Sequence, residues 1–419
     1  MEKDLFFVND ILLDEHEKSE IRVNLFKILK SEDISEVESI VLEHNISNSR
    51  GNDSLEKVLE DLNIKEGSFV YLENKCNHTA IGTYIPANKD IRAKTQILNN
   101  NNYRGKLIKK YTKPEKYDSN LTSDVYSYHI NVGHGNCSII VFKENDEYKI
   151  WMIDCSEFDF RNKVNYRKNI QSCFKFIKSQ LNIDFIKIDK LFVTHPHYDH
   201  FNGINNLIDQ EIIDRNTEIW INLNYSWPET KYNLLLEKLT KLNLNLIEPI
   251  SSNSTEQIEI LYPNKTILRT KPKNINVHST YDIVPANKVN NSSVVFKFNL
   301  GEKSMVFPGD LEEKGWDKVN TCSTYLKGTT YYCISHHGSI TGHRRSTCPH
   351  NNQISNIEFC CSKVPVNILM GREGAYTGIF SDEVLQCFKN RVYRTDKHSS
   401  KNDPEFIQIN WQSESVVYY

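Results

Sequence analysis

The run Thr194-His195-Pro196-His197-Tyr198-Asp199-His200 places three imidazoles and a carboxylate directly after the apolar segment Leu191-Phe192-Val193. In an extended strand end, alternate residues point the same way, so His195 and His197 can present two nitrogens to one cation. Asp199 and His200 fall where a helix through Phe201 to Ile208 would begin, and can hold a second cation beside the first. Two cations this close lower the pKa of a water between them toward neutrality, which is the chemistry of hydrolysis.

Two later segments offer what such a pair still needs. Asp310 follows the apolar Met305-Val306-Phe307 with Gly309 beside it, where one carboxylate can give an oxygen to each cation. His336 and His337 follow Tyr331-Tyr332-Cys333-Ile334, so one can close the second cation site while the other faces substrate. Alone, a Gly-Asp after a strand reads as a turn and a histidine pair as a surface turn; their order along successive strands makes both ligand candidates. The expected metal donors are His195, His197, Asp199, His200, Asp310 and His336, and the expected catalytic groups are Asp199, Asp310 and His337. Gly133, Gly135 and Gly338 would let backbone approach the cluster, the plain alternative being ordinary turn glycine. His343, Arg344 and Arg345 follow closely, and the two guanidinium groups could grip a phosphate, with solvated loop charge as the equal alternative.

From about Ser123 to Trp411 the chain resembles the metallo-β-lactamase fold, and within it the nuclease domain of ComEC-type competence proteins. Asn131-Val132-Gly133-His134-Gly135-Asn136-Cys137-Ser138 is similar to that branch's opening D-V-G-Q-G-D-S, and Met152-Ile153-Asp154 to its second strand. Asn290-Asn291-Ser292-Ser293-Val294-Val295 is similar to its N-x-S-V-V-L, Phe307-Pro308-Gly309-Asp310 to its T-G-D, and Ser335-His336-His337-Gly338-Ser339 to its H-H-G-S. The late segments Ile368-Leu369-Met370-Gly371 and Tyr393-Arg394-Thr395-Asp396 resemble its closing strand and T-D element. The resemblance implies an α/β fold of four αββα layers, two zinc ions with manganese as the alternative, and cleavage of phosphodiesters. The matched segments add His134, Asn136 and Ser339 to Arg344 and Arg345 as expected substrate contacts.

The sequence departs from that branch at Asn131, His134 and Asn136, which puts substrate preference in question more than metal binding. Tyr376-Thr377-Gly378-Ile379 replaces its Y-G-H-P. Many enzymes of the fold carry a further histidine before the bridging Asp. Here that interval holds His278, in a polar segment read as a loop, which leaves one cation to His195, His197, Asp310 and water.

The elements that must position these residues follow from periodicity. Strands are expected at Tyr126–Val132, Ser138–Phe142, Lys149–Ile153, Leu191–Val193, Glu218–Asn222, Ile258–Tyr262, Val294–Phe298, Ser304–Phe307, Tyr331–Ser335 and Val366–Met370. Helices are expected at Asn165–Leu181, Tyr232–Leu242 and Asp382–Phe388. Residues 1–118 read as a small α+β unit and a basic linker, and residues 119–419 as the hydrolase domain. In the former, Ile21, Leu25, Ile28 and Leu29 have helical spacing, further helices are expected over 34–42 and 55–62, and Phe69-Val70-Tyr71 reads as a strand.

Composition narrows the function. Among 419 residues, 51 basic and 54 acidic side chains leave a net charge of −3, so any polyanion must be held by a local patch. Ten cysteines occur without a C-x-x-C pair, which argues against a zinc ribbon and for free thiols. The absence of a long apolar run and of a basic, apolar start leads to the expectation of a cytoplasmic protein without a membrane segment. The favoured reading is a dinuclear hydrolase acting on DNA or RNA. Its alternatives are a hydrolase of small phosphodiesters or esters, and a partner-gated effector that docks a protein through residues 1–118.

Overall fold

The computed structural model describes residues 5–13, 21–28, 69–73, 83–86, 121–223, 230–268, 282–284, 289–316, 318–319, 328–342, 364, 366–388, 391–398 and 401–419. Strands β1 (Leu5–Leu13), β2 (Ile21–Ile28), β3 (Phe69–Glu73) and β4 (Thr83–Pro86) form one antiparallel sheet in the order β2-β1-β3-β4. The helix expected around Ile21 to Leu29 is therefore a strand. Ile21, Val23 and Leu25 also fit a period of two. A lone eight-residue helix nucleates poorly, whereas pairing with Leu5–Leu13 gives the backbone its hydrogen bonds at once. The helices expected over 34–42 and 55–62 and the basic stretch Lys89–Lys116 lie outside the described residues.

The larger unit begins with β5 (Leu121–Ile130), β6 (Cys137–Glu144) and β7 (Glu147–Cys155), then helix α1 (Arg167–Leu181). There follow β8 (Lys190–Phe192), α2 (Tyr198–Phe201), α3 (Ile204–Asp209), β9 (Glu218–Trp220), α4 (Thr230–Lys241) and β10 (Asn245–Ile247). Next come β11 (Ile258–Tyr262), β12 (Val295–Leu300), β13 (Lys303–Phe307), α5 (Glu313–Trp316) and β14 (Tyr331–Cys333). The chain closes with β15 (Val366–Leu369), α6 (Asp382–Cys387), β16 (Val392–Arg394), β17 (Phe406–Asn410) and β18 (Val416–Tyr418).

Eight of these strands form one sheet, β10-β9-β8-β7-β6-β5-β17-β18, and six form another, β11-β12-β13-β14-β15-β16. Each has a parallel run, β7 to β10 in the first and β13 to β16 in the second. Side-chain alternation sorts the layers. On β7, Trp151 and Ile153 point into a core shared with Phe296, Phe298, Met305 and Ile368 of the other sheet. Ile150 and Met152, on the opposite face of β7, pack with Ile170, Cys173 and Ile177 of α1 and Leu235 and Leu239 of α4. The outer face of the six-stranded sheet packs Val306, Tyr332 and Leu369 against Trp316 of α5 and Val384 and Cys387 of α6. The result is the four-layer αββα sandwich expected from the sequence. Aromatic rings dominate its centre: Trp151 stands edge-on to Phe142 at 4.8 Å, and Phe192 to Phe298 at 4.7 Å.

Candidate metal centre

Parallel strands leave their carboxyl ends together, and a crevice forms where the chain leaves each sheet. Here both parallel runs end at one crevice. β7 delivers Asp154, β8 leads into Thr194 to His200, β13 into Asp310, β14 into His336 and His337, and β15 into Met370. The helix expected over Phe201–Ile208 is split into α2 and α3 around Gly203, whose N–H donates to the Cys155 carbonyl at 2.8 Å. That bond ties the histidine loop to the end of β7.

Asp154 is the buried organiser of the centre. Its carboxylate accepts Nδ1–H of His200 at 2.7 Å, the Thr194 hydroxyl at 2.8 Å and the Thr194 backbone N–H at 2.8 Å. Holding Nδ1 turns the opposite nitrogen of His200 inward, where it stands 3.3 Å from Asp310 Oδ2. His337 is set the same way: Nδ1–H donates to the Met370 carbonyl at 3.1 Å, leaving Nε2 at 3.5 Å from both Asp199 Oδ2 and Asp310 Oδ2.

Two donor groups result, with Asp310 common to both. Asp199, His200, Asp310 and His337 converge in one, and His195, His197 and Asp310 in the other, the donor atoms of each lying within 4.8 Å of one another. His195 and His197 have ring centroids 4.8 Å apart. No thiolate joins either group, and imidazole with carboxylate is a donor set for zinc, manganese or iron. His195 Nε2 and Asp310 Oδ1 are buried and make no hydrogen bond, a costly state for polar atoms that a bound cation relieves. The residues present therefore fit a pair of cations.

Electrostatics without metal point the same way. Burial works against a proton on His337, but Asp310 and Asp199 outweigh it and push its pKa up to about 10. Burial likewise opposes charge on His200, yet Asp310, Asp154 and Asp199 raise it well above the ordinary imidazole value. Burial would raise Asp310, but His200 and His337 hold it well below the usual carboxylate range, and Asp199 is lowered against its burial by His200, His337 and His134. His195, by contrast, is lowered by burial and by the neighbouring His200. Three carboxylates, Asp154, Asp199 and Asp310, thus share the positive charge of His200 and His337 in a largely buried space.

The opening lies over Asp199, whose side chain is 18% exposed while those of His195, His200, Asp310 and His337 are 4% exposed or less. His134 stands at this opening with Nε2 3.4 Å from Asp199 Oδ2, its ring 4.3 Å from His337 and 4.4 Å from Tyr376. Asn136 donates its backbone N–H to the Asp199 carbonyl at 3.1 Å. This approach requires Gly135 (φ +144°), since a Cβ there would lie 2.7 Å from that same carbonyl. The hydroxyl of Ser339 pairs with that of Thr341 at 2.9 Å. Arg344 and Arg345, expected to grip phosphate, lie outside the described residues, as do His343 and His278.

One of the expected ligands lies outside both donor groups. His336 is buried, with Nδ1 3.0 Å from Thr341 Oγ1 and 4.0 Å from Glu312 Oε1, and Nε2 3.3 Å from Asn290 Nδ2. Of the pair, His337 stands among the donors. Both residues have left-handed backbone, φ 48° and 50°, so neighbouring side chains are thrown to different sides in a way strand periodicity cannot foresee. The sequence shows Asp154 as an acid ending an apolar strand, within the segment Met152-Ile153-Asp154, and its organising role becomes visible only with its partners Thr194 and His200.

Four layers, two mixed sheets and a His/Asp cluster at the carboxyl ends of their parallel strands are now in place. No family model matches the chain, and no curated protein matches its sequence. Among solved structures the chain is similar to the metallo-β-lactamase fold protein YhfI from Bacillus subtilis, at 10% identity and a TM-score of 0.34 over 68% of this chain and 99% of that one. It is also similar to CmlA, a diiron β-hydroxylase from Streptomyces venezuelae, at 12% identity and a TM-score of 0.33 over 71% of this chain. That match spans 54% of CmlA, about half its length.

Proposed function

We propose that the chain is a metal-dependent hydrolase that cleaves phosphodiesters in DNA or RNA. The observation that carries the reading is the sharing of Asp310 by two buried donor groups, which suits a pair of cations acting on one scissile group. The phosphodiester part rests on the ordered likeness of five segments to the ComEC-like branch. Asp199, His200, Asp310 and His337 would hold one ion, and His195, His197 and Asp310 the other. Zinc or manganese bound there supplies Lewis acidity toward a phosphoryl oxygen and lowers the pKa of water.

The side chains do the rest. Asp154 and the Met370 carbonyl fix the ring orientation of His200 and His337, so the donors are aimed before substrate arrives. Asp199, the most exposed donor, is where a substrate first meets the cluster, and His134 beside it borders the reacting group. The closed walls exclude bulk water and strengthen every charge interaction inside.

A small phosphodiester is the second reading, favoured by the burial of every donor but Asp199 among the described residues. Residues 1–118 are proposed as the place where a protein partner would dock in a gated enzyme. The deciding experiment measures metal content, then incubates the loaded protein with labelled single- and double-stranded DNA, RNA and bis(p-nitrophenyl) phosphate, with Asp310→Ala as control. Cleavage of polymers that is lost in Asp310→Ala supports the nuclease reading. Turnover of the chromogenic ester alone shifts it to small molecules, and turnover of neither refutes it.

A further inference from the structure

On β5, Val125, Ser127 and His129 alternate onto one face, and Val125 belongs to the core shared by the two sheets. His129 points the same way, its ring 6.2 Å from that of Phe307 on β13. Ser127 and His129 are fully buried, and polar side chains at two core positions are costly unless their polar atoms are paired. They are paired in a single line. Trp411 Nε1–H donates to Ser127 Oγ at 3.0 Å, Ser127 Oγ lies 3.2 Å from His129 Nε2, His129 Nδ1 lies 2.9 Å from Ser138 Oγ, and the Ser138 hydroxyl donates to Met370 Sδ at 3.2 Å.

The two ends fix the direction of this line, because an indole can only donate and a thioether can only accept. The one hydroxyl hydrogen of Ser138 goes to Met370, so Ser138 must accept Nδ1–H of His129. Burial pushes the pKa of His129 down to about 3, so the ring is neutral and its bare Nε2 accepts from Ser127. One tautomer fits. For folding alone, an apolar set of the same shape would serve nearly as well.

The line ends at the metal centre. Met370 lies one residue past Leu369, which closes the pairing of β15 with β16, and its carbonyl accepts Nδ1–H of His337 at 3.1 Å. Beyond the ladder, the side chain of Met370 anchors the residue whose carbonyl aims the ring. We propose that His129 is a positioning residue for the four-donor group, holding Met370 through Ser138 and the ring of His337 through Met370. The inference rests on the two-cation reading above and is independent of the substrate.

The test uses the full chain loaded with zinc. Chelator competition in His195→Ala and in His337→Ala backgrounds reads the two donor groups one at a time. In the first background, Ser138→Ala and His129→Leu are each expected to weaken the four-donor group by about 10-fold. In the second, the same changes should leave the three-donor group as it was. His129→Asn, whose amide can replace Nδ1–H as donor to Ser138, should restore most of the affinity. Unchanged affinity of the four-donor group in Ser138→Ala overturns the inference, and so does an equal loss from both groups, since a weakened fold alone produces that. Nitrogen chemical shifts give a second reading: the wild-type ring of His129 should stay neutral with its hydrogen on Nδ1 through the ordinary imidazole range, and a hydrogen on Nε2 contradicts the line. If the wild type takes up no metal, the two-cation reading fails and this role with it, whereas a loaded wild type beside an unaffected Ser138→Ala removes the role alone.

Discussion

His200 and Asp154 meet at 2.7 Å across the gap between the histidine loop and the end of β7, and this bond decides which nitrogen of His200 looks into the cluster. Asp154 takes a left-handed backbone, φ 53°, to make it, and also draws in Thr194, whose hydroxyl lies 3.2 Å from Nδ1 of His195. One carboxylate that is itself no ligand thus orients a donor of the four-residue group and touches the support of the three-residue group.

Asp154→Asn and Asp154→Ala should therefore weaken metal binding by about 10- to 100-fold while leaving every ligand in place. Competition against a chromophoric chelator reads this directly. Wild-type affinity in Asp154→Ala would mean that packing alone aims His200.

The two groups should empty separately. His195→Ala is expected to leave about one ion per chain, His337→Ala to weaken the four-donor group, and Asp310→Ala to reduce both, because Asp310 belongs to each. Equilibrium dialysis with elemental analysis gives the count. Two retained ions in Asp310→Ala would remove it from the bridging role.

Much of this centre was legible in the sequence, because the strands that carry it are short, apolar and bounded by turn residues. β11 matches its expected limits, and β7, β8 and β13 differ from theirs by a few residues. The motif His195 to His200 supplies donors to both groups. What stayed hidden depends on backbone shape or on distant partners. The His336/His337 choice hangs on two consecutive left-handed residues. β17 and β18 gave no expectation at all, since Phe406–Asn410 becomes a strand by pairing with β5, far away in sequence. At the other end, Ile21–Ile28 satisfied two periods at once and tertiary pairing chose the second.

Metal loading should release protons. His337, pushed up to about 10, and His200, also raised, are protonated at neutral pH in the metal-free protein, and each must lose its proton to bind a cation. Apparent affinity should climb with pH through neutrality, with about two protons released when the four-donor group fills. In the metal-free chain the same imidazolium–carboxylate contacts stabilise the fold fully below the ordinary imidazole range, and that contribution fades as pH rises toward about 10. The lowered Asp199 and Asp310 act oppositely: their contribution is present above the ordinary carboxylate range and is lost in acid. Titrations in buffers of different ionisation enthalpy count the protons, and zero release at pH 7 would contradict the arrangement.

Residues 119–419 are expected to fold and load metal without residues 1–118. β1 to β4 form a sheet of their own, and the two sheets of the sandwich begin at β5. Circular dichroism and metal content of the shortened chain check this. Aggregation of the fragment beside a well-behaved full chain would show that the two parts share a core.

Gly309→Ala tests how tightly the two sheets are registered at the centre. Gly309 has φ +57°, and a Cβ there would lie 2.8 Å from Thr194 Cβ and 2.9 Å from its hydroxyl. A methyl group thus meets both an unfavourable backbone and the side chain that bonds Asp154. Thr194 cannot retreat without releasing Asp154, and Asp310 cannot shift without leaving both donor groups. The substitution should cost about 1–3 kcal/mol in urea unfolding of the metal-free protein. It should also lower metal affinity beyond what that loss explains, because the carboxylate of Asp310 and the ring of His200 are displaced relative to each other. Ser293 offers a control, since its hydroxyl accepts the Asp310 backbone N–H at 3.1 Å. Ser293→Ala should move Asp310 without touching Thr194 and produce a smaller loss of metal. If Gly309→Ala bound metal as tightly as the wild type, the close approach of these two loops would have no part in aiming the ligands.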